Sequence, residues 1–148
     1  YIVAPGSNIT TTSNGRVNDI DTKSGTSFAA PHVTGAIAIL KQAWPQLSAQ
    51  EIVQLLLTTA TDMGEAGVDD VYGVGMLNLD NATNPNGTSS ISTISGTTNL
   101  NGTSLSASSA VGDSLSEIDA LSSTMIVDDY NRDYYVDLNQ TISTNTNA

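Results

Sequence analysis

Apolar residues along the chain recur with different periods, and each period predicts a different element. Tyr1-Ile2-Val3-Ala4 is a short β-rich run stopped by Pro5-Gly6, the pattern of a buried strand running into a turn. Over residues 27–41, Phe28, Ala29, Ala30, Val33, Ala36, Ile37, Ala38, Ile39 and Leu40 are spread almost all round a helix, which predicts one surrounded by protein. Ser48-Ala49-Gln50-Glu51 has the capping-box pattern three residues past Pro45, and Ile52, Val53, Leu55, Leu56 and Ala60 follow it at helical spacing. Gly64 is the predicted stop of this second helix. Tyr72-Gly73-Val74-Gly75-Met76-Leu77-Asn78-Leu79 reads as a turn into a short strand or a last helical turn. One strand with long buried helices predicts an α/β layer from which most of the sheet is absent.

This pattern does not continue to the end of the chain. Residues 1–82 read as globular, whereas 21 of the 27 residues in 83–109 are Ser, Thr, Asn or Gly, too few apolar groups to bury a core alone. Residues 83–124 are therefore predicted to be a polar, β-prone linker or a short β-solenoid, the latter hinted at by the near-repeat Gly96-Thr97-Thr98-Asn99-Leu100 and Gly102-Thr103-Ser104-Leu105. Hydrophobicity returns in 125–148, where Met125-Ile126-Val127 and Tyr134-Tyr135-Val136 predict a hairpin ahead of a polar tail. Asp129-x-Asn131-x-Asp133 imitates the opening of a calcium loop, but Tyr134 stands where that loop needs Gly and Gln140 where it needs Glu, so no EF-hand is predicted. Triplets such as Asn86-Gly87-Thr88 and Asn101-Gly102-Thr103 follow from composition, and imply glycosylation only in a eukaryotic secretory setting.

Charge and composition narrow the function classes. The 148 residues carry a net charge of -11 and a pI near 4.1, the wrong sign for holding a phosphate backbone, so no nucleic-acid partner is expected. With no Cys there is neither a disulfide frame nor a thiolate zinc site, and one His cannot build a two-His metal centre. No apolar run approaches the roughly 18 to 20 residues of a membrane-spanning helix, and the start at Tyr1 reads as that of an internal fragment.

The chemistry is concentrated in Gly25-Thr26-Ser27-Phe28-Ala29-Ala30-Pro31-His32-Val33-Thr34-Gly35. It places the Ser27 hydroxyl at a helix start, where the first N–H groups have no intrahelical partner and the helix dipole is positive, so an oxyanion forming there meets fixed donors. Gly25 permits close approach of a substrate. Pro31, four residues after Ser27, has no N–H to give the Ser27 carbonyl, a feature from which a purely structural helix gains little. Taken alone, Ser27 also reads as an ordinary N-cap serine.

The string G-T-S-x-A-x-P-H-V-x-G, with Val3-Ala4-Pro5-Gly6 before it and Tyr72-Gly73-Val74-Gly75-Met76-Leu77-Asn78 after it, resembles the C-terminal third of a subtilisin-like serine protease over residues 1–82. The resemblance implies the C-terminal part of a three-layer α/β domain with a parallel sheet. It implies Ser27 as the acylating nucleophile, the Ser27 N–H as part of the oxyanion hole, Thr26 and Gly25 beside the oxyanion and substrate, and a polypeptide substrate. It implies no cofactor for the chemistry. Calcium is common in the family, but no ligand set is assigned here.

In the family the catalytic Asp, the catalytic His and the oxyanion-hole Asn precede the nucleophile by long stretches, and only 26 residues precede Ser27. Asp19 and Asp21 are too near to be the triad Asp, and Asn8, Asn14 and Asn18 likewise fail as the oxyanion Asn. His32 matches a family position that is not the base and reads as a satisfied core histidine. The chain is thus expected to need the upstream part of the catalytic domain as a partner and to be inactive alone. The segment from Leu121 through Met125-Ile126-Val127-Asp128-Asp129-Tyr130 to Leu138 resembles the junction between passenger and β-barrel in subtilase autotransporters. That implies a downstream outer-membrane β-barrel and a secreted or bacterial cell-surface location. Two alternatives stand beside the protease: a catalytically inactive subtilase-like binding domain, and an adhesin-like passenger whose polar tail is the functional surface. Motif-bearing Asp, His and Asn upstream of Tyr1 would separate the protease from the first.

Overall fold

The computed structural model describes residues 1–13, 15, 19–93, 96–100, 105–108, 121–138 and 142–145, and the chain divides into two compact units, Tyr1–Asn84 and Pro85–Ala148. In the first unit, strands β1 (Ile9–Thr12) and β2 (Ile20–Lys23) pair antiparallel, with Ile9 opposite Lys23 and Thr12 opposite Ile20. Three helices follow: α1 (Thr26–Ala43), α2 (Ala49–Thr58) and α3 (Leu79–Thr83).

The capping box at the start of α2 is formed on both sides. Glu51 donates its N–H to Ser48 Oγ at 3.2 Å, and Ser48 donates its N–H to Glu51 Oε2 at 2.7 Å. The turn from α1 to α2 is fixed by Lys41, whose Nζ donates to the Pro45 and Leu47 carbonyls, each at 2.6 Å. The core of the unit gathers here: Ala36 and Leu40 of α1, Trp44 and Leu47 of the turn, Ile52, Leu55 and Leu56 of α2, and Ala82 of α3 are buried. Helix α2 stops at Thr58, six residues before Gly64. The Thr59 hydroxyl and N–H both donate to the Leu55 carbonyl, at 2.7 and 3.0 Å, and complete the last turn without a glycine.

Helix α1 is not enclosed by the described residues. Only Ala36 and Leu40 are buried, and Ile39 is 47% exposed. The predicted strand at residues 1–4 is reduced to a single parallel bridge between Val3 and Met76, with Val3 donating to Gly75 O at 3.0 Å and Leu77 donating to Val3 O at 2.8 Å. A lone neighbour gives a bridge rather than a ladder. Met76 also bridges Thr61 antiparallel, so the glycine-rich segment runs between two backbones. Gly75 sits there at φ 111°, and a Cβ on it would strike the Thr61 carbonyl, which is why the position takes no side chain. Asn78 then caps α3 by accepting the Asn81 N–H at 2.9 Å, and donates through Nδ2 to Thr61 Oγ1 at 2.8 Å.

In the second unit, β3 (Ser90–Thr93), β4 (Gly96–Asn99), β6 (Thr124–Val127) and β7 (Asp133–Val136) form a sheet in the order β4-β3-β6-β7 with antiparallel neighbours. Strands β5 (Leu105–Ser108) and β8 (Ile142–Asn145) pair parallel as a separate two-stranded sheet. The β6–β7 turn is organised by Asp128. Its Oδ1 accepts the N–H groups of Tyr130 and Arg132, each at 3.0 Å, and its Oδ2 accepts the Asn86 N–H at 3.1 Å and Arg132 Nε at 2.9 Å. The Arg132 guanidinium carbon lies 5.7 Å from the Tyr130 ring centre and 5.4 Å from that of Tyr134. Burial pushes the Tyr134 hydroxyl up to about 12, against the opposing pull of Arg132. Residues 101–104 and Gln140 lie outside the described residues, and with them Asn101-Gly102-Thr103, most of the second solenoid-like repeat and the last position of the calcium-loop comparison.

Candidate active site

The entry into α1 is set by backbone bonds. Gly25 is its N-cap, at φ 152° and ψ 160°, a backbone region that side chains avoid. The Gly25 N–H donates to the Gly6 carbonyl at 2.7 Å, and the Gly25 carbonyl accepts the Phe28 N–H at 3.0 Å, closing the first turn around Thr26 and Ser27. Asn8 adds a second tie by donating its N–H to Ser24 Oγ at 3.0 Å. Gly25, Thr26 and Ser27 are all exposed.

The start of α1 is built differently from the starts of α2 and α3. Ser48 and Asn78 occupy donors of those helices with their side chains, whereas Gly25 has no side chain to do so and no acidic residue stands in the first turn. Donors and the positive end of the helix dipole are thus left facing solvent beside the Ser27 hydroxyl, as stabilising an oxyanion requires. Pro31 lies inside α1 and gives the Ser27 carbonyl no N–H, which leaves the first turn to be held by the Gly25–Phe28 bond and the ties to residues 6 and 8. A groove of about 460 Å³ runs beside Thr26, between residues 1–4 and the α1 face carrying Ala29, Ala30 and Val33.

No base stands next to Ser27 among the described residues. His32 is exposed rather than a core residue, because nothing in the described chain covers its face of α1, and its Nδ1 donates to the Phe28 carbonyl at 2.9 Å. Five residues of helix turn its ring about 140° from Ser27 and carry it about 7.5 Å along the axis. Asp21 is committed locally. It pairs with Lys23 and accepts the Thr22 N–H at 2.8 Å, and these two partners, Lys23 first, hold its carboxyl below the usual range. Asn8 is at φ 54° in the turn that meets Ser24, and Asn14 and Asn18 lie outside the described residues.

The pair Asp69-Asp70, which reads in the sequence as a solvated loop, has a structural part. Asp69 Oδ1 accepts the N–H groups of Val71 and Tyr72, each at 2.7 Å, and those bonds, Tyr72 first, lower its carboxyl pKa. Among the described residues no three of His, Asp and Glu converge on a metal-sized site. What pattern reading missed is Gly6. The dipeptide Pro5-Gly6 marks a turn, but nothing local in it marks a contact with Gly25.

The Ser27 hydroxyl thus stands exposed at a helix start without a side-chain cap, in a unit of helices and strands with a glycine-rich return segment. The model of the subtilase family, Peptidase S8, matches residues 1–75, and the chain belongs to that family. An extracellular serine protease of Serratia marcescens is 55% identical over 62 residues, covering 42% of this chain and 6% of that protein. The Neisserial autotransporter lipoprotein NalP of Neisseria meningitidis is 48% identical over 60 residues, again 6% of its length and 40% of this chain. Among solved structures, the psychrophilic subtilisin-like protease Apa1 from the Antarctic psychrotroph Pseudoalteromonas sp. AS-11 aligns with 43% of this chain and 15% of its own at 38% identity, with a TM-score of 0.42. The chain therefore spans only a small part of the length of the curated relatives it matches.

Proposed function

We propose that this chain supplies the nucleophile of a secreted subtilisin-like serine endopeptidase, which cleaves peptide bonds through an acyl-enzyme on Ser27. The observation that carries the reading is the uncapped start of α1, where the exposed Ser27 hydroxyl stands beside unoccupied helix donors in a chain of the subtilase family. Ser27 Oγ attacks the scissile carbonyl, and the oxygen that gains charge is held by the Ser27 N–H with Thr26 and Gly25 alongside. The base that takes the Ser27 proton, the Asp that orients it and the oxyanion-hole Asn come from the upstream part of the catalytic domain, since His32 and Asp21 are otherwise engaged.

The extracellular and autotransporter relatives support a secreted or cell-surface location, with a β-barrel downstream of the second unit. No helix among the described residues is long and apolar enough to cross a membrane, which bears on helical spans alone. The test is cleavage of an unfolded protein by the complete parent protein, with and without Ser27→Ala. Cleavage lost in the variant is the expected result, and cleavage retained by a folded Ser27→Ala protein overturns the reading.

A further inference from the structure

We infer that Gly6 is a positioning residue for Ser27, acting through Gly25; the inference rests on Ser27 being the acylated residue. Its carbonyl accepts the Gly25 N–H at 2.7 Å, and the Gly25 carbonyl in turn accepts the Phe28 N–H at 3.0 Å, so Gly6 holds one end of the N-terminal turn that encloses Ser27. A Cβ on Gly6 would lie 2.9 Å from the Gly25 oxygen and 3.1 Å from Ala29 Cβ. Both are atoms of α1 with little freedom to yield, one of them backbone of the N-cap itself. Gly6 is not among the glycines with positive φ, so alanine at this position carries no backbone strain of its own and its whole effect passes through that contact.

The displacement falls where it matters for rate. Moving the Gly25 carbonyl by a few tenths of an ångström moves the Phe28 bond it accepts, and with it the Ser27 hydroxyl and N–H enclosed by that turn. Reacting groups need placement within roughly 0.5 Å, and an error of about 1 Å costs on the order of 100-fold, so Gly6→Ala is expected to slow acylation by about tenfold. Gly6 touches neither base nor substrate in this account. The KM and the pH midpoint of kcat/KM should therefore stay near their wild-type values while kcat falls.

The experiment uses the complete parent protein and a fluorophosphonate probe, with the labelled residue mapped by mass spectrometry and the rate expressed per folded molecule from the unfolding curve. Wild type labelled elsewhere than Ser27 would refute the nucleophile reading itself. Wild type labelled at Ser27, with Gly6→Ala labelled about tenfold more slowly per folded molecule, is the expected result. Labelling of Gly6→Ala at the wild-type rate per folded molecule, whatever its stability, overturns the positioning role. If Gly6→Ala does not fold, Gly6→Ala combined with Ala29→Gly decides, because the double variant relieves the 3.1 Å contact with Ala29 Cβ and leaves the Gly25 oxygen as the group displaced. A roughly threefold slower reaction supports the inference, and an unchanged one overturns it.

Discussion

Asp128 and Arg132, four residues apart, bury opposite charges completely and meet at 2.7 Å between Oδ2 and a terminal guanidinium nitrogen. The two partners are not equivalent. Asp128 also accepts three backbone N–H groups, from Asn86, Tyr130 and Arg132, so removing it takes the counter-charge from a buried cation and the acceptor from three donors at once. Removing Arg132 leaves the carboxylate with those donors. Asp128→Leu is therefore expected to destabilise the β6–β7 hairpin by about 3–5 kcal/mol, and Arg132→Met by distinctly less. Amide hydrogen exchange at Ile126 and Tyr134, read in both variants, checks the order, and equal loss of protection would contradict it.

The capping box gives a pH-dependent prediction. Bonds from Ser48, side chain first and then backbone, hold the Glu51 carboxyl below its usual range. A carboxylate with a depressed folded pKa contributes stability that is present above its unfolded pKa and lost as pH falls through the lower folded value. The unfolding midpoint should thus drop below about pH 4.5 in wild type, and Glu51→Gln should remove that part of the drop. Ser48→Ala is expected to cost about 1 kcal/mol at neutral pH, measured by urea unfolding.

Local signals were legible in the sequence and long-range ones were not. Ser48-Ala49-Gln50-Glu51 names its own hydrogen bonds, and the helix through Ser27 and Pro31 follows from a single run of apolar and small residues. Helix α2 ends before Gly64 because the Thr59 hydroxyl completes the turn in place of a glycine, a choice decided by a side chain outside the usual stop signals. The strand at residues 1–4 was read from its own composition, while a ladder also needs neighbours, and Val3 has only Met76 in its bridge. On an α1 that is apolar nearly all round, His32 reads as a core residue. Its face is exposed since no layer covers it among the described residues. At the candidate site, Ser27 and its helix start were legible from residue order. The clamp from Gly6 onto Gly25 joins positions 19 residues apart, and no local pattern marks it.

The 148-residue chain alone is expected to hydrolyse no peptide bonds. His32, the one histidine, is engaged with the Phe28 carbonyl on the helix of Ser27, and Asp21 is paired with Lys23. Purified chain incubated with an unfolded protein should give no fragments above buffer, and hydrolysis abolished by Ser27→Ala would contradict the prediction.

His32→Gln in the parent protein should act on folding rather than on chemistry. It removes the ring bond to Phe28 and lowers the unfolding midpoint, while kcat per titrated site stays within about tenfold of wild type, against roughly 10³-fold or more for loss of a general base. Active-site titration followed by kcat measurement checks this. A fully titratable variant slowed by thousands would make His32 part of the chemistry.

The acyl-enzyme on Ser27 is most directly tested by quenching turnover of an activated ester in acid and weighing the tryptic peptide 24–41, bounded by Lys23 and Lys41. The complete parent protein is expected to carry the acyl mass on Ser27, and Ser27→Ala to carry none and to turn over at least about 10³-fold more slowly. An unmodified 24–41 peptide recovered from an enzyme with its acyl group on another residue, together with full turnover by Ser27→Ala, would contradict it.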